Sequence, residues 1–220
     1  MVADPARSRM LSLLLSGEAA TAGELAAAAS VTPATASGHL AKLEHADFVT
    51  CEPRGRHRYY RLADADIARA LEALALIAER GSRAESWMRA ERRSLRDGRR
   101  CYGHLAGRLG VALYDALVAS AALESSPDGF LLTDAGIEWF GRLGMQPAPP
   151  TARRRYAYAC MDWSERRDHL AGQLADQALQ HFLARRWLRR SHGRAIALTP
   201  AGGRHLGRYL PELLASDTRS

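Results

Sequence analysis

The sequence predicts a mainly α-helical fold with small β-wings, in two parts, the second of them internally duplicated. Three observations predict it. A helical segment that opens on Pro33 follows a shorter capped one within the first 45 residues. Two short runs rich in aromatic and β-branched residues, 48–52 and 57–62, then flank an arginine-bearing turn. In the second half, His104-Leu105-Ala106-Gly107 recurs 65 positions on (104 to 169) as His169-Leu170-Ala171-Gly172. Leu132-Thr133-Asp134-Ala135-Gly136 recurs 66 positions on (132 to 198) as Leu198-Thr199-Pro200-Ala201-Gly202.

Taken in order, Thr21-Ala22-Gly23-Glu24 has the Thr-x-x-Glu form of a capping box and opens a helix over 24–29, ended by a tight turn at Ser30, Val31 and Thr32. Thr32 is then an N-cap and Pro33 a first helical residue. Leu40 and Leu43 turn inward, which leaves Thr35, Ser37, His39 and Lys42 facing out. A helix that presents short polar side chains on one face suits the major groove of DNA, where it can approach closely and reach base edges and phosphates. The strands at 48–52 and 57–62 are joined through Pro53, Arg54, Gly55 and Arg56, so Arg54, Arg56 and Arg58 ride on a hairpin that can lie along the phosphate backbone. Helix, turn, helix and basic wing in that order form a winged helix-turn-helix. The candidate DNA-binding set is Thr32, Thr35, Ser37, His39, Lys42, Arg54, Arg56 and Arg58.

With its opening Asp4-Pro5-Ala6-Arg7-Ser8-Arg9-Met10-Leu11, the 32–43 helix and the wing 55–62, the region 4–78 resembles the ArsR-type (ArsR/SmtB) family of bacterial metal- and metalloid-responsive repressors. The resemblance implies a homodimer on a palindromic operator, with an inducer that lowers its affinity for DNA. The sequence departs from the family where that inducer binds. Founding members carry a cysteine pair on the helix before the reading helix, whereas Glu24-Leu25-Ala26-Ala27-Ala28-Ala29 has no thiol. Other members place histidine and acidic ligands after the wing, and 64–80 contains no histidine.

Composition fits an intracellular regulator. The chain has 220 residues, 47% of them apolar, enough for two small cores. No apolar run approaches a membrane span and the start lacks a signal-peptide pattern, which makes the cytoplasm the expected location. The net charge of +7 suits a polyanionic partner. It is discounted because Lys42 is the only lysine among 31 basic residues, a skew typical of GC-rich coding. Cys51, Cys101 and Cys160 form no CxxC pair. The motifs of metalloproteases, serine hydrolases and phosphate-binding loops are absent, so an enzyme is not expected.

From Asp64 a long helix carries Ile67, Leu71, Leu74 and Ile77 at helical spacing, a stripe suited to a dimer seam. Gly81 and Ser82 end or kink it, and Trp87, Met88 and Leu95 lie in the connector that follows. The expected domains are a DNA-binding domain at 1–80, a helical connector at 81–100, and a domain at 101–220 made of repeats 101–147 and 151–215. Each repeat reads as a helix (102–121, 166–186), a hairpin turning at 127–129 or 191–193, and a short helix capped by Thr133 or Thr199. Met145 to Pro150 link the halves.

Candidate metal ligands are Cys101, Cys160, His104 and His169. Cys101 and His104 stand at i and i+3 on one helix face if that helix starts early, and a pseudo-twofold pairing of the repeats would bring the second pair beside the first. Two thiolates and two imidazoles suit Zn-like, Cu(I) or thiophilic As(III) chemistry. Two other readings of this half stay open: oxidation of Cys101, flanked by Arg99 and Arg100, and an organic effector among Tyr102, Tyr114, Trp139, Tyr156, Tyr158 and Trp163. For the whole chain the sequence points to an inducer-responsive repressor, or alternatively to a constitutive or partner-controlled DNA-binding protein whose second half only oligomerises.

Overall fold

Asp4 sets the first helix, its side chain accepting from the Arg7 N–H at 2.9 Å, with Pro5 as first helical residue. α1 (Pro5–Leu14), β1 (Ala20–Thr21), α2 (Ala22–Ala29), α3 (Pro33–His45), β2 (Val49–Arg54), β3 (His57–Leu62) and α4 (Ala65–Gly81) follow. The Thr21 capping box is complete: its hydroxyl accepts from the Glu24 N–H at 3.2 Å and the Glu24 carboxylate accepts from the Thr21 N–H at 2.7 Å. Ser30, left-handed at φ 56°, stops α2 and turns the chain into α3. Asp64 caps α4 by accepting from the Asp66 and Ile67 N–H groups.

The computed structural model describes residues 2–54, 57–81, 93–152 and 154–210. It divides into two units, Met1–Glu72 and Ala73–Ser220. In the first, β2 and β3 pair antiparallel from Val49↔Leu62 to Arg54↔His57, and β1 adds a third strand through Ala20↔Tyr60. The sequence signalled the β2–β3 wing but not β1, whose two residues are strand only because Tyr59 and Tyr60 pair with them. Met10, Leu14, Leu25, Leu40, Leu43 and Leu62 are almost fully buried, each worth about 1.5–3 kcal/mol of apolar transfer. Among the described residues no helix is long and apolar enough to cross a membrane.

The second unit repeats hairpin, helix, hairpin, helix. Its first pass is β4 (Arg99–Cys101), β5 (His104–Ala106), α5 (Arg108–Ala119), β6 (Leu123–Ser126), β7 (Gly129–Leu132) and α6 (Asp134–Arg142). Its second is β8 (Tyr158–Met161), β9 (Asp168–Ala171), α7 (Gln173–Ala184), β10 (Leu188–Arg190), β11 (Ile196–Leu198) and α8 (Pro200–Leu206). The long helices start later than 102 and 166, because the residues before them are strands.

The recurring residues are those the backbone demands. Gly107 and Gly172 precede α5 and α7 at φ 77° and 97°, and a Cβ there would stand 2.5 Å from the Arg96 carbonyl and 2.7 Å from that of Tyr156. At Gly136 and Gly202 a Cβ would meet the Ala122 and Trp187 carbonyls at 2.3 and 2.0 Å. Thr133 and Thr199 cap α6 and α8 by accepting from the N–H groups of those two glycines.

The passes interlock. Phe130 of the first pass bonds Ala157 ahead of β8, while Gly98 and Arg100 exchange backbone bonds with Ile196 and Arg194 of the second. One core, including Leu113, Leu117, Phe140, Leu174, Leu179 and Phe182, is drawn from both.

Candidate nucleic-acid interface and buried histidine–cysteine cluster

On α3 the Thr32 hydroxyl accepts from the Thr35 N–H at 3.2 Å, and the two threonine hydroxyls pair at 2.9 Å. Ser37 donates to the Pro33 carbonyl at 3.0 Å, and Thr32, Thr35, Ser37 and Lys42 are exposed. His39 departs from the expected outward set. It is half-buried toward α1, where Arg7 donates to its Nδ1 at 3.4 Å and Asp4 lies 3.8 Å away. Gly38 stands on the same exposed face, with nothing within 4 Å of where a Cβ would lie.

The wing arginines are exposed but not idle. Arg54 chelates Glu52 with two bonds of 3.1 Å, Arg61 reaches the same carboxylate at 2.8 Å, and Arg58 bonds the Cys51 sulfur at 3.0 Å and Glu44 at 3.5 Å. Such solvated pairs are worth 1 kcal/mol or less, so phosphates can take these arginines over. Arg56 lies outside the described residues. Cys51 is a wing residue hydrogen-bonded to Arg58, and a groove lined by Ser37, Ala41, Glu44, His57 and Arg58 runs beside α3.

In the second unit Cys101, His104, Cys160 and His169 are all buried, and their ligand atoms lie within 4.8 Å of one another. They sit in strands, not on a helix face: Cys101 is directly opposite His104 across β4–β5, and Cys160 directly opposite His169 across β8–β9. Each hairpin therefore presents one thiol and one imidazole from a cross-strand pair. The fixed offset of 65 set Cys101 against Arg166 and hid this equivalence. Two residues, Tyr102 and Gly103, join the first strand pair, whereas eight, 161–168, separate Cys160 from His169.

His104 and His169 face each other Nε2 to Nε2 at 3.0 Å. Behind His169, the Nδ1 lies 3.3 Å from Asp162 Oδ2, at ion-pair distance though misaligned for a hydrogen bond. Asp162 is itself fully enclosed. It accepts from the Gly107 N–H at 2.6 Å, from the Ser164 N–H and hydroxyl, and from Arg99, whose guanidinium lies 3.2 Å away and is also fully buried. Arg99 stacks over Trp163 at 4.6 Å and donates to the Leu95 carbonyl at 3.4 Å. Burial opposes charge on Asp162, but His169, Arg99 and the Gly107 N–H outweigh it and hold the carboxyl far below the ordinary range. Burial also pushes the His169 pKa down, yet its contacts with Asp162 and Cys101 raise it to about 9. The sequence marked Arg99 only as a cation beside Cys101; its pairing with Asp162, 63 positions away, was not signalled.

Of the aromatic residues offered as an effector pocket, Trp139 is in the shared core and Trp163 lies under Arg99, and none of the six lines the cleft of about 1050 Å³ that Arg93, Arg96, Asp97 and Arg108 border. With Cys101 and Cys160 at 1% and 3% exposure, an oxidant has little access to either sulfur.

Residues 2–52 match a family model described as a helix-turn-helix domain. Over 204 residues the chain is 40% identical to the HTH-type transcriptional regulator YdfF of Bacillus subtilis (strain 168), across 92% of this chain and 90% of that protein. The chain belongs to this family of helix-turn-helix transcriptional regulators. Among solved structures, this regulator is similar to the homodimeric winged helix-turn-helix DNA-binding domain (fragment 1-100) of Mb0332 from Mycobacterium bovis, a possible ArsR-family transcriptional regulator. That match is 28% identical over 36% of this chain and 71% of that one, with a TM-score of 0.33. The cadmium metal-sensor CMTR from Mycobacterium tuberculosis is 40% identical over 33% and 75%, with a TM-score of 0.29.

Proposed function

We propose that this regulator is a cytoplasmic, homodimeric repressor that occupies a palindromic operator through its winged helices and releases it when an inducer acts on the second unit. Its chemistry is binding, not catalysis. The observation that carries the reading is the exposed face of α3, where Thr32, Thr35, Ser37 and Lys42 stand clear of the core while Ala36, Leu40 and Leu43 are buried. Arg54 and Arg58, whose carboxylate partners form weak solvated pairs, supply phosphate contacts. For the dimer, α4 presents Leu74 and Ile77 at 45% and 62% exposure, and the same stripe on a second copy would cover them about a twofold axis. Two half-sites a DNA turn apart call for a symmetric partner surface of this kind.

The test is fluorescence anisotropy on duplexes selected from a random-sequence library. Arg58→Ala and Lys42→Ala should weaken binding on every sequence and lower the slope of log K against log salt by about 1 each. Thr35→Ala and Ser37→Ala should instead change which duplexes are selected. Absence of salt-dependent binding to any duplex would remove the regulator reading, and a monomer at micromolar concentration by light scattering would remove the dimer.

A further inference from the structure

We infer that Cys101, His104, Cys160 and His169 form a closed, four-ligand site for a divalent ion of the zinc class, one that fastens the two repeats of the second unit together. The argument starts from donor type. Two thiolates and two imidazoles with no carboxylate among them are a tetrahedral S2N2 set, which favours zinc over the oxygen-seeking cations. Arsenic(III) takes three thiolates, and this cluster offers two.

Spacing agrees. Zinc bonds of about 2.0–2.1 Å to nitrogen and about 2.3 Å to sulfur define a tetrahedron whose edges are roughly 3.3 Å between nitrogens and roughly 3.8 Å between sulfurs. Here the two Nε2 atoms are 3.0 Å apart and no pair of ligand atoms exceeds 4.8 Å, so a single ion fits once the widest pair closes by about 1 Å, shared between its two side chains. The nitrogens that converge are the two Nε2 atoms, which frees Nδ1 of His169 to face Asp162. A carboxylate behind a ligating imidazole is the arrangement that fixes ring orientation and raises ligand basicity.

Asp162 is accordingly a positioning residue, and its reach goes further. It is bound to Arg99, the first residue of β4, and Arg99 in turn donates to the Leu95 carbonyl in the segment leading into the repeats. Loading the site pulls on His169, then on Asp162, then on Arg99 and the 95–99 backbone. As the route by which an inducer acts, this rests on the regulator reading above; as a metal site it stands without it.

The experiment uses the full, reduced, chelator-stripped chain titrated with Co2+ alone and then displaced with Zn2+. The expected result is one ion per chain, with a thiolate-to-cobalt charge-transfer band and the intense visible bands of tetrahedral cobalt, both absent in Cys101→Ser and Cys160→Ser. Because those variants could fail to fold, a second reading uses the unmodified chain: X-ray absorption at the zinc edge of the Zn2+-loaded protein should show two sulfurs at about 2.3 Å and two nitrogens at about 2.0–2.1 Å. Asp162→Asn should keep the stoichiometry and the spectrum while lowering affinity roughly ten- to a hundredfold. No charge-transfer band, or a zinc shell of oxygen and nitrogen without two sulfurs, overturns the site. Unchanged metal affinity in Asp162→Asn overturns the positioning role. If the site fills but loaded and stripped protein bind the selected duplex with equal affinity, the metal site stands and its role as inducer site falls. If neither form binds DNA, it is the regulator reading that fails.

Discussion

The two units treat polar side chains in opposite ways. In the first, Glu72 is buried but the polar groups of α3 and the wing are outside: the α3 hydroxyls, Lys42, Arg54 and Arg58 meet solvent, and the ion pairs to Glu44 and Glu52 are half-exposed. In the second, Arg99, Asp162, His104 and His169 are at 3% exposure or less. An exposed pair costs little to make and little to break, which suits a surface that must trade carboxylates for phosphates. A buried one is tolerated only when every member is partnered, which suits a fixed centre. The same motif of helix, hairpin and capped helix thus serves recognition in one place and enclosure in the other.

The largest expected effect tests that contrast directly. Asp162→Ala should cost about 3–5 kcal/mol in denaturant unfolding of the second unit, since it strands the buried Arg99 charge, while Glu52→Ala in the wing should change stability by less than about 0.5 kcal/mol. Comparable losses from the two would break the comparison. Next, Gly38→Ala should stabilise the first unit by roughly 0.5–1 kcal/mol, because nothing in the fold opposes a Cβ there. The same substitution should weaken DNA binding if the groove is approached as closely as α3 suggests; a gain in stability with unaltered affinity would mean that Gly38 is not at the contact.

The smallest effect is a pH dependence of the metal-free protein. Asp162 has its folded pKa below its ordinary 3.8, so its contribution is present above that value and is lost as pH falls beneath it. His169 is raised from 6.5 to about 9, so its contribution is complete below 6.5 and fades as pH rises through 9. The melting temperature of the chelated second unit should decline between those two values, and a level profile there would show that His169 gains nothing from its partners.

What the sequence disclosed was mostly local. The Thr21 capping box, the Thr32–Pro33 start and the hairpin turns at 127–129 and 191–193 depend on neighbours a few positions away, and they form where the residues say. The recurring sequence patterns were visible because Gly107, Gly172, Gly136 and Gly202 tolerate no side chain. The four cluster residues could be named, but not the way they meet. Strands of three and four residues before α5 and α7 are too short to show a period, and they read as early helix turns. β1 and the Arg99–Asp162 pair were illegible for one reason: each exists only through a partner tens of residues away. His39 faces α1 instead of solvent because Arg7 and Asp4 are there to meet it, again a contact between distant segments.

The eight-residue stretch 161–168 has one more implication. In a true homodimer any change appears twice, so the two arms of a shared centre must stay identical. Here both arms belong to one polypeptide, and each can drift alone. Only the later arm has the longer loop that carries Asp162, and of the two cluster histidines only His169 has a carboxylate at ion-pair distance among the described residues. Joining two like halves end to end has allowed a built-in handedness: one ring held firmly from behind, the other left to follow.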